Sequence, residues 1–515
     1  MAKTKEKTVQ SIEQQIWAAA DELRGSMDAS EYKHVVLGLI FLKYISDSFE
    51  DKYQELLQAD DPSWAEDLDS YTEDNIFFVP QEARWSVISE WAHKTGSITN
   101  EKGKEETFDI GGIIDRAMRL IEKENDRLKG VLPKNFSRPE LDKRKLGSVV
   151  DLFSNIQLTD HGKSKDILGR AYQYCLAKFA ENEGKRAGEF YTPSSVVRAL
   201  VEILQPYKGR VYDPCCGSGG MFVQSSDFIK EHQGSLNDIS VYGQEFNPTT
   251  RKMALMNLAI RGIEANIGER NADTLAEDLH PDLKADFIMA NPPFNMSNWN
   301  NGSLNEDVRW RFGLPPTGNA NMAWIQHMIH HLAPEGKAGI VLANGSLSSN
   351  TGGESAIRKG IVDADLLEGI VAMPSQLFHN TQIPVCLWVI SRNKKQKGKT
   401  LFVDARNLGT MLDRKTRDLT PPDVEVLAKS FRDFDAGELL NKSGFCAVVE
   451  TSQIAANDYI LTPGRYVGQP EEEQDAEPFD DKMKRLTGGL GVMFEESARL
   501  EAEIKKQLGA IGYEL

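Results

Sequence analysis

Between about residues 165 and 420, short apolar runs alternate with stretches in which apolar residues recur every three or four positions. The runs predict strands at 209–213, 239–245, 285–290, 337–343, 366–372 and 384–391. The stretches between them predict helices at 220–232, 248–262, 319–333 and 354–363. Alternation of this kind specifies an α/β fold, a parallel sheet with helical crossovers. Upstream, Ile12, Ile16, Ala19 and Leu23, and then Val35 through Ile45, keep helical spacing, so residues 1–165 read as a helical N-terminal domain. Further helices are expected over Phe108–Leu128 and from about Lys163 to Phe179. The α/β domain then covers 166–420, an irregular region with an acidic linker 421–480, and a helical tail 481–515. In that tail Met493, Ser497, Leu500, Ile504, Leu508 and Ile511 form a seam, with Glu501 and Lys505 paired beside it. A helix so short is marginal alone. It packs either on its own domain or on a partner, and the acidic stretch ahead of it favours the partner.

Composition adds boundaries. The 515 residues suffice for two or three domains, and 40% apolar with 27% charged residues describes a water-soluble globular chain. The polar start Met1–Lys7 and the lack of about 18 consecutive apolar residues predict a cytoplasmic protein with no membrane partner. Five cysteines, Cys175, Cys215, Cys216, Cys386 and Cys446, are odd in number and sit mostly in apolar patterns, against a disulfide framework. No CxxC pair or local His/Cys cluster points to a metal, so none is expected.

Chemistry concentrates at the predicted strand ends. After Val211-Tyr212-Asp213 comes Pro214-Cys215-Cys216-Gly217-Ser218-Gly219-Gly220, a turn whose glycines expose backbone N–H groups at a helix start. It matches neither the dinucleotide pattern nor a phosphate-binding loop, and Gly162-Lys163-Ser164 lacks the glycine that such a loop needs, with Gln157 in its place. Glu245 closes the next strand, where a carboxylate suits both hydroxyls of a ribose. Asp273, in Asn271-Ala272-Asp273, stands at the expected third strand end, suited to an adenine amine. About 80 residues after Asp213, the strand 285–290 runs into Asn291-Pro292-Pro293-Phe294.

That tetrapeptide suits a planar base with an exocyclic amine. Such an amine is a weak nucleophile because its lone pair is delocalised into the ring. Two acceptors on its hydrogens, the Asn291 side-chain oxygen and the Pro292 carbonyl, favour a tetrahedral nitrogen and stabilise the positive charge that develops. Pro292 and Pro293 fix the backbone, and Phe294 offers a face for an extruded base. No cysteine nucleophile is required, and Cys215 and Cys216 read as small residues that fit the turn.

Together the glycine turn and Asn291–Phe294 resemble an amino-group DNA methyltransferase, and the chain over most of its length resembles the modification subunit of a type I restriction-modification system. The resemblance implies a Rossmann-like methyltransferase domain, S-adenosylmethionine as cofactor and adenine N6 in double-stranded DNA as target. It also implies that the string Glu189-Phe190-Tyr191-Thr192-Pro193-Ser194 helps hold the methionine end of the cofactor. The cofactor set is then Glu189–Ser194, Asp213, Gly217, Ser218, Gly219, Glu245 and Asp273; the catalytic set is Asn291, Pro292, Pro293 and Phe294. Implied partners are a specificity subunit, a second copy of the chain and a motor-nuclease subunit. The tetrapeptide by itself leaves open a stand-alone enzyme acting on RNA or protein, or a silent scaffold. A net charge of −17 (60 basic against 77 acidic residues) is awkward for DNA, whose affinity comes from neutralised phosphates. The run Arg392, Lys394, Lys395, Lys397 and Lys399 is either a solvated turn or a DNA-facing patch. The segment 295–318, with Trp299, Arg309, Trp310 and Arg311, is long enough for a lid or for disorder.

Overall fold

A computed structural model describes residues 12–23, 29–99, 105–155, 163–182, 191–232, 234–235, 238–378, 383–469, 479–510 and 513. The chain forms two compact units, Met1–Gly468 and Gln469–Leu515. The first is built on a nine-stranded sheet. Its strands in chain order are β1 (Gly209–Asp213), β2 (Ile239–Gly243), β3 (Ala265–Asn266), β4 (Ala285–Ala290), β5 (Leu332–Ala343), β6 (Leu367–Ala372), β7 (Val385–Ser391), β8 (Lys399–Asp404) and β9 (Cys446–Glu450). Across the sheet they run β9-β8-β6-β7-β5-β4-β1-β2-β3.

Parallel pairing joins β3 to β2, β2 to β1, β1 to β4, β4 to β5, and β6 to β8. Strand β7 lies antiparallel between β5 and β6, and β9 is antiparallel on the edge of β8. Because β7 reverses between them, β5 and β6 point the same way, and the carboxyl ends of β1, β2, β4, β5, β6 and β8 share one edge. Side-chain alternation buries both faces. Val211, Met289, Val341, Leu387 and Leu401 belong to one core, while Tyr212, Ile288, Ile340, Trp388 and Phe402 belong to the other.

The N-terminal part is helical as expected, with the longest helix at Ala29–Leu57 and one small hairpin, Gly96–Thr99 with Glu105–Phe108. The expected helix over 108–128 is Ile110–Glu124 followed by a 3-10 turn Asp126–Leu128; Asp109 caps it by accepting from the Gly112 N–H at 2.8 Å. Met253, Met256 and Ile260 of helix Pro248–Ile260 complete the core of these helices. The Tyr172 hydroxyl, on helix Lys163–Asn182, donates to the Met253 carbonyl at 3.2 Å. The helical layer is thereby seated on the helix that follows β2.

The reading of 421–480 as irregular needs correction. Helix Pro421–Ala436 opens with a capping box, Thr420 and Asp423 exchanging side-chain to backbone bonds, and ends at Gly437 with φ 75°. Strand β9 follows it and extends the sheet. The sequence carried the signal in Thr420-Pro421-Pro422-Asp423, a helix start with prolines in the first turn. Of the acidic stretch, 470–478 lies outside the described residues. The second unit is described over helix Phe479–Ala510, and Ile511 lies outside it. Among the described residues, no helix is long and apolar enough to cross a membrane.

Candidate functional site

The shared edge of carboxyl ends gathers most of the residues singled out by the sequence. The turn after β1 needs its glycines: Gly217 has φ +54° and Gly219 φ +80°, the left-handed region that costs other residues energy. The Cys216 N–H donates to the Gln244 carbonyl at 2.9 Å, and the Gly219 N–H to the Cys216 carbonyl at 2.8 Å, so the turn is fastened to the end of β2. Gly219 then caps helix Gly220–Glu231. A Cβ built on Gly220 would meet nothing within 4 Å, which leaves the helix start open to a ligand.

A partly open cleft lies against this turn. Tyr191, Thr192, Ser194, Asp213, Gly217, Ser218 and Asn291 line it together. Glu189 and Phe190 lie outside the described residues. Pro193 precedes helix Ser194–Leu204 and is buried. Gln173 and Gln224 also line the cleft, and the sequence reading missed both. Gln173 donates to Asn257 Oδ1 at 3.3 Å, and Asn257 in turn donates to the Ser218 carbonyl at 2.8 Å. Those contacts join helices far apart in sequence, which periodicity does not reveal.

Asp213 is 2% exposed and accepts from the Cys215 N–H at 3.0 Å. Burial, opposed by that bond and reinforced by Glu245, pushes its carboxyl up to about 7. Burial likewise raises the Cys215 and Cys216 thiols, which removes them as thiolate nucleophiles. Glu245 is not a solvated strand-end acid. It is buried, with Oε2 accepting from the Gly217 N–H at 3.0 Å and Oε1 from the Asn247 N–H at 2.8 Å. Burial raises its carboxyl too. Next to it Phe246 is 69% exposed, an apolar ring left at the strand end, its carbonyl held by the Asn271 amide at 2.9 Å. Asp273 does not close β3, which ends at Asn266; it sits in a turn beyond, accepting from Leu275 N–H at 3.0 Å. That turn is tied to the glycine loop by Thr274 Oγ1 donating to the Pro214 carbonyl at 2.5 Å.

At the end of β4, Asn291 divides its amide. Nδ2 donates to Thr192 Oγ1 at 3.0 Å, which joins the Tyr-Thr-Pro string to the Asn-Pro-Pro-Phe turn across the chain. Among the described residues, the buried Oδ1 has no hydrogen-bond partner. An orphaned buried acceptor costs about 1–3 kcal/mol and calls for a missing donor. Phe294 is half-buried, its ring edge-on to Phe378 at 6.0 Å between centroids and 75° between planes.

The segment after Phe294 is ordered. Trp299 and Trp310 are buried against one another, and the Trp299 indole donates to the Pro316 carbonyl at 2.9 Å. Arg309, 7% exposed, is its anchor: it pairs with Asp307 at 2.7 Å and donates to the Thr274 and Leu275 carbonyls at 3.2 and 2.6 Å. It also faces His327 Nδ1 at 3.1 Å. His327, His331 and Asp278 bring their ligand atoms within 4.8 Å, a grouping that sequence spacing does not show. Arginine donates only, so His327 Nδ1 accepts, and a guanidinium at this distance opposes a cation. His331 bonds Leu283 O at 2.9 Å and Asp278 at 2.8 Å, so the group serves as a buried polar network.

The basic run resolves differently. It links β7 to β8 at the edge opposite Asn291: Lys394 is 2% exposed and paired with Asp365 at 2.5 Å, Arg392 donates to the Ile329 carbonyl, and Lys395 pairs with Asp435.

A sheet with one antiparallel strand inserted next to last among the first seven, a glycine turn after its first strand and Asn-Pro-Pro-Phe after its fourth define an S-adenosylmethionine-dependent amino-methyltransferase. The model of the N-6 DNA methylase family matches residues 163–475, and that of the HsdM N-terminal domain matches 12–153. The type I restriction enzyme HindI methylase subunit of Haemophilus influenzae is 49% identical, over 85% of this chain and 100% of its own length. The MjaIX methylase subunit of Methanocaldococcus jannaschii is 39% identical, over 98% and 92%. Among solved structures, the type I restriction-modification methyltransferase subunit from Streptococcus thermophilus shares the fold at a TM-score of 0.73 and 24% identity, covering 88% of this chain and 98% of that one. The chain belongs to the family of type I restriction enzyme methylase subunits. It is an N6-adenine DNA methyltransferase with S-adenosylmethionine as cofactor. The family decides against the RNA, protein and scaffold readings that the tetrapeptide left open.

Proposed function

We propose that Asn291 Oδ1 and the Pro292 carbonyl receive the two amine hydrogens of an adenine turned out of the duplex, with Pro293 fixing the turn and Phe294 stacking on the base. The carrying observation is the unpartnered, buried Oδ1, whose orientation Thr192 fixes through Nδ2. Oriented in advance, it stabilises charge that develops on the amine without reorganising. When bound, the cofactor supplies the methyl group. Residues 189–194, Asp213 and Gly217–Gly219 would hold it, the open helix start at Gly220 meeting its carboxylate. Glu245 shapes the turn through Gly217 and keeps lone pairs for the ribose hydroxyls. Asp273 and the exposed ring of Phe246 take the adenine end. We assign 1–165 and 166–420 to a helical domain and a methyltransferase domain, the latter extended by β9 to about residue 468, and 481–515 to a partner-binding tail. The partners are double-stranded DNA, a specificity subunit that reads the sequence, a second copy and a motor-nuclease subunit, in the cytoplasm.

The test is Asn291→Ala. Cofactor affinity by calorimetry should stay within about twofold, while single-turnover transfer from labelled cofactor slows on the order of a hundredfold, corresponding to about 3 kcal/mol. A wild-type rate would remove Asn291 from the chemistry.

A further inference from the structure

A second small hairpin, Thr410–Met411 paired with Arg417–Asp418, follows β8 and stands on the same edge as Asn291. Its backbone is braced. The Leu412 N–H donates to the Thr416 carbonyl at 2.9 Å, and Asp413 Oδ1 accepts from the Lys415 and Thr416 N–H groups at 2.6 and 2.8 Å. Gly409 has φ +81°, and a Cβ there would come within 2.7 Å of the Asp418 carbonyl. The hairpin is also tied toward the target site. The Arg417 N–H donates to the Gln376 carbonyl at 2.9 Å, two residues from Phe378, whose ring meets Phe294.

At its tip Arg414 and Lys415 are exposed, and among the described residues neither forms an ion pair. Beside them Leu412 is 66% exposed. On a chain of net charge −17, two exposed cations on the edge that presents the target site are placed where phosphates would meet them. The sheet sets the distance. From β4 to β8 is four strand steps, about 19 Å at the usual spacing, or roughly half of a DNA turn of about 34 Å.

We propose that the hairpin 409–418 grips the duplex about half a turn from the extruded adenine, Arg414 and Lys415 on backbone phosphates and Leu412 against the adjoining sugars. This rests on the reading of Asn291 as the target-base site. It gives the methylase subunit its own sequence-independent hold on DNA, in addition to any hold of the specificity subunit. The run at 392–399 does not supply that hold, since it faces away.

The test uses the full-length chain in complex with its specificity subunit and a fluorescent 30-base-pair duplex of arbitrary sequence. Anisotropy measured over a salt series gives the slope of log affinity against log salt. Removing two phosphate contacts with Arg414→Ala/Lys415→Ala should lower that slope by about 1.8 and weaken binding severalfold, leaving cofactor affinity unchanged. A control pair on the opposite edge, Lys208→Ala/Lys230→Ala, should leave the slope as it is. Equal slopes for both pairs, or loss of cofactor affinity in the hairpin pair, would overturn the proposal. Single-turnover transfer by Asn291→Ala in the same complex separates the two claims: a wild-type rate there fails the active-site reading, whereas the salt slope reports on the hairpin alone.

Discussion

Two buried carboxylates, Asp213 and Glu245, stand within one glycine turn of each other, and both are pushed toward the neutral form. The sequence places both at strand ends and suggests Glu245 as a ribose acceptor, without showing that it is buried. Its burial and its two backbone donors follow from how the turn folds back over β2, which no local pattern encodes. For Asp213 the consequence is a pH dependence. An unfolded Asp ionises near 3.8 and the folded one at about 7. Between those values the unfolded chain has released a proton that the folded one keeps, so stability falls as pH rises through this window and levels off above it. The full change is on the order of 4 kcal/mol. Asp213→Asn should flatten the decline between pH 5 and 7, as followed by urea unfolding in a pH series. An unaltered decline would place the titration on another group.

At the scale of elements, six of the nine strands of the sheet, the four crossover helices and the two functional turns were legible because each is a local pattern closed by glycine, proline or a cap. What escaped was long-range. Helix Pro421–Ala436 was passed over although its capping box is written in the sequence, and β3, β8 and β9 were missed, each a run of two to six residues with little pattern to show. The ambiguity of 295–318 was physical: its order depends on Arg309, whose partners Thr274, Leu275 and His327 are far away in the chain. Arg309 therefore couples the segment after Phe294 to the turn of Asp273. Arg309→Ala would strip Asp307 of its ion-pair partner and two carbonyls of their guanidinium donor, a loss of about 3–5 kcal/mol by analogy with broken buried pairs. Limited proteolysis should then cut within 295–318, where the wild-type chain resists. Equal resistance would mean that the tryptophan pair holds the segment without the guanidinium.

On the scale of the whole molecule, the charge deficit and the tail bear on one another. The catalytic unit ends at Gly468, and the only described element beyond it is helix Phe479–Ala510, along which Met483, Leu486, Leu490, Met493, Phe494, Leu500 and Ile504 are all more than 40% exposed. Gly488, Gly489 and Gly491 interrupt it with the weakest helix-forming residue apart from proline. A helix so composed, with its apolar residues in water, gains its stability from a surface that covers them. The long net-negative chain gains its DNA affinity from few cations of its own. A basic or neutral specificity subunit docked on the tail, as proposed above, would meet both shortfalls. Deleting 479–515 should leave cofactor affinity as it is, because the cleft lies wholly in the first unit, yet abolish co-purification with the specificity subunit and reduce site-specific methylation to background. The intact chain without that subunit should bind cofactor equally well and methylate little. Light scattering with a methylation assay on DNA lacking the modification checks both, and efficient site-specific methylation by the intact chain alone would overturn the dependence.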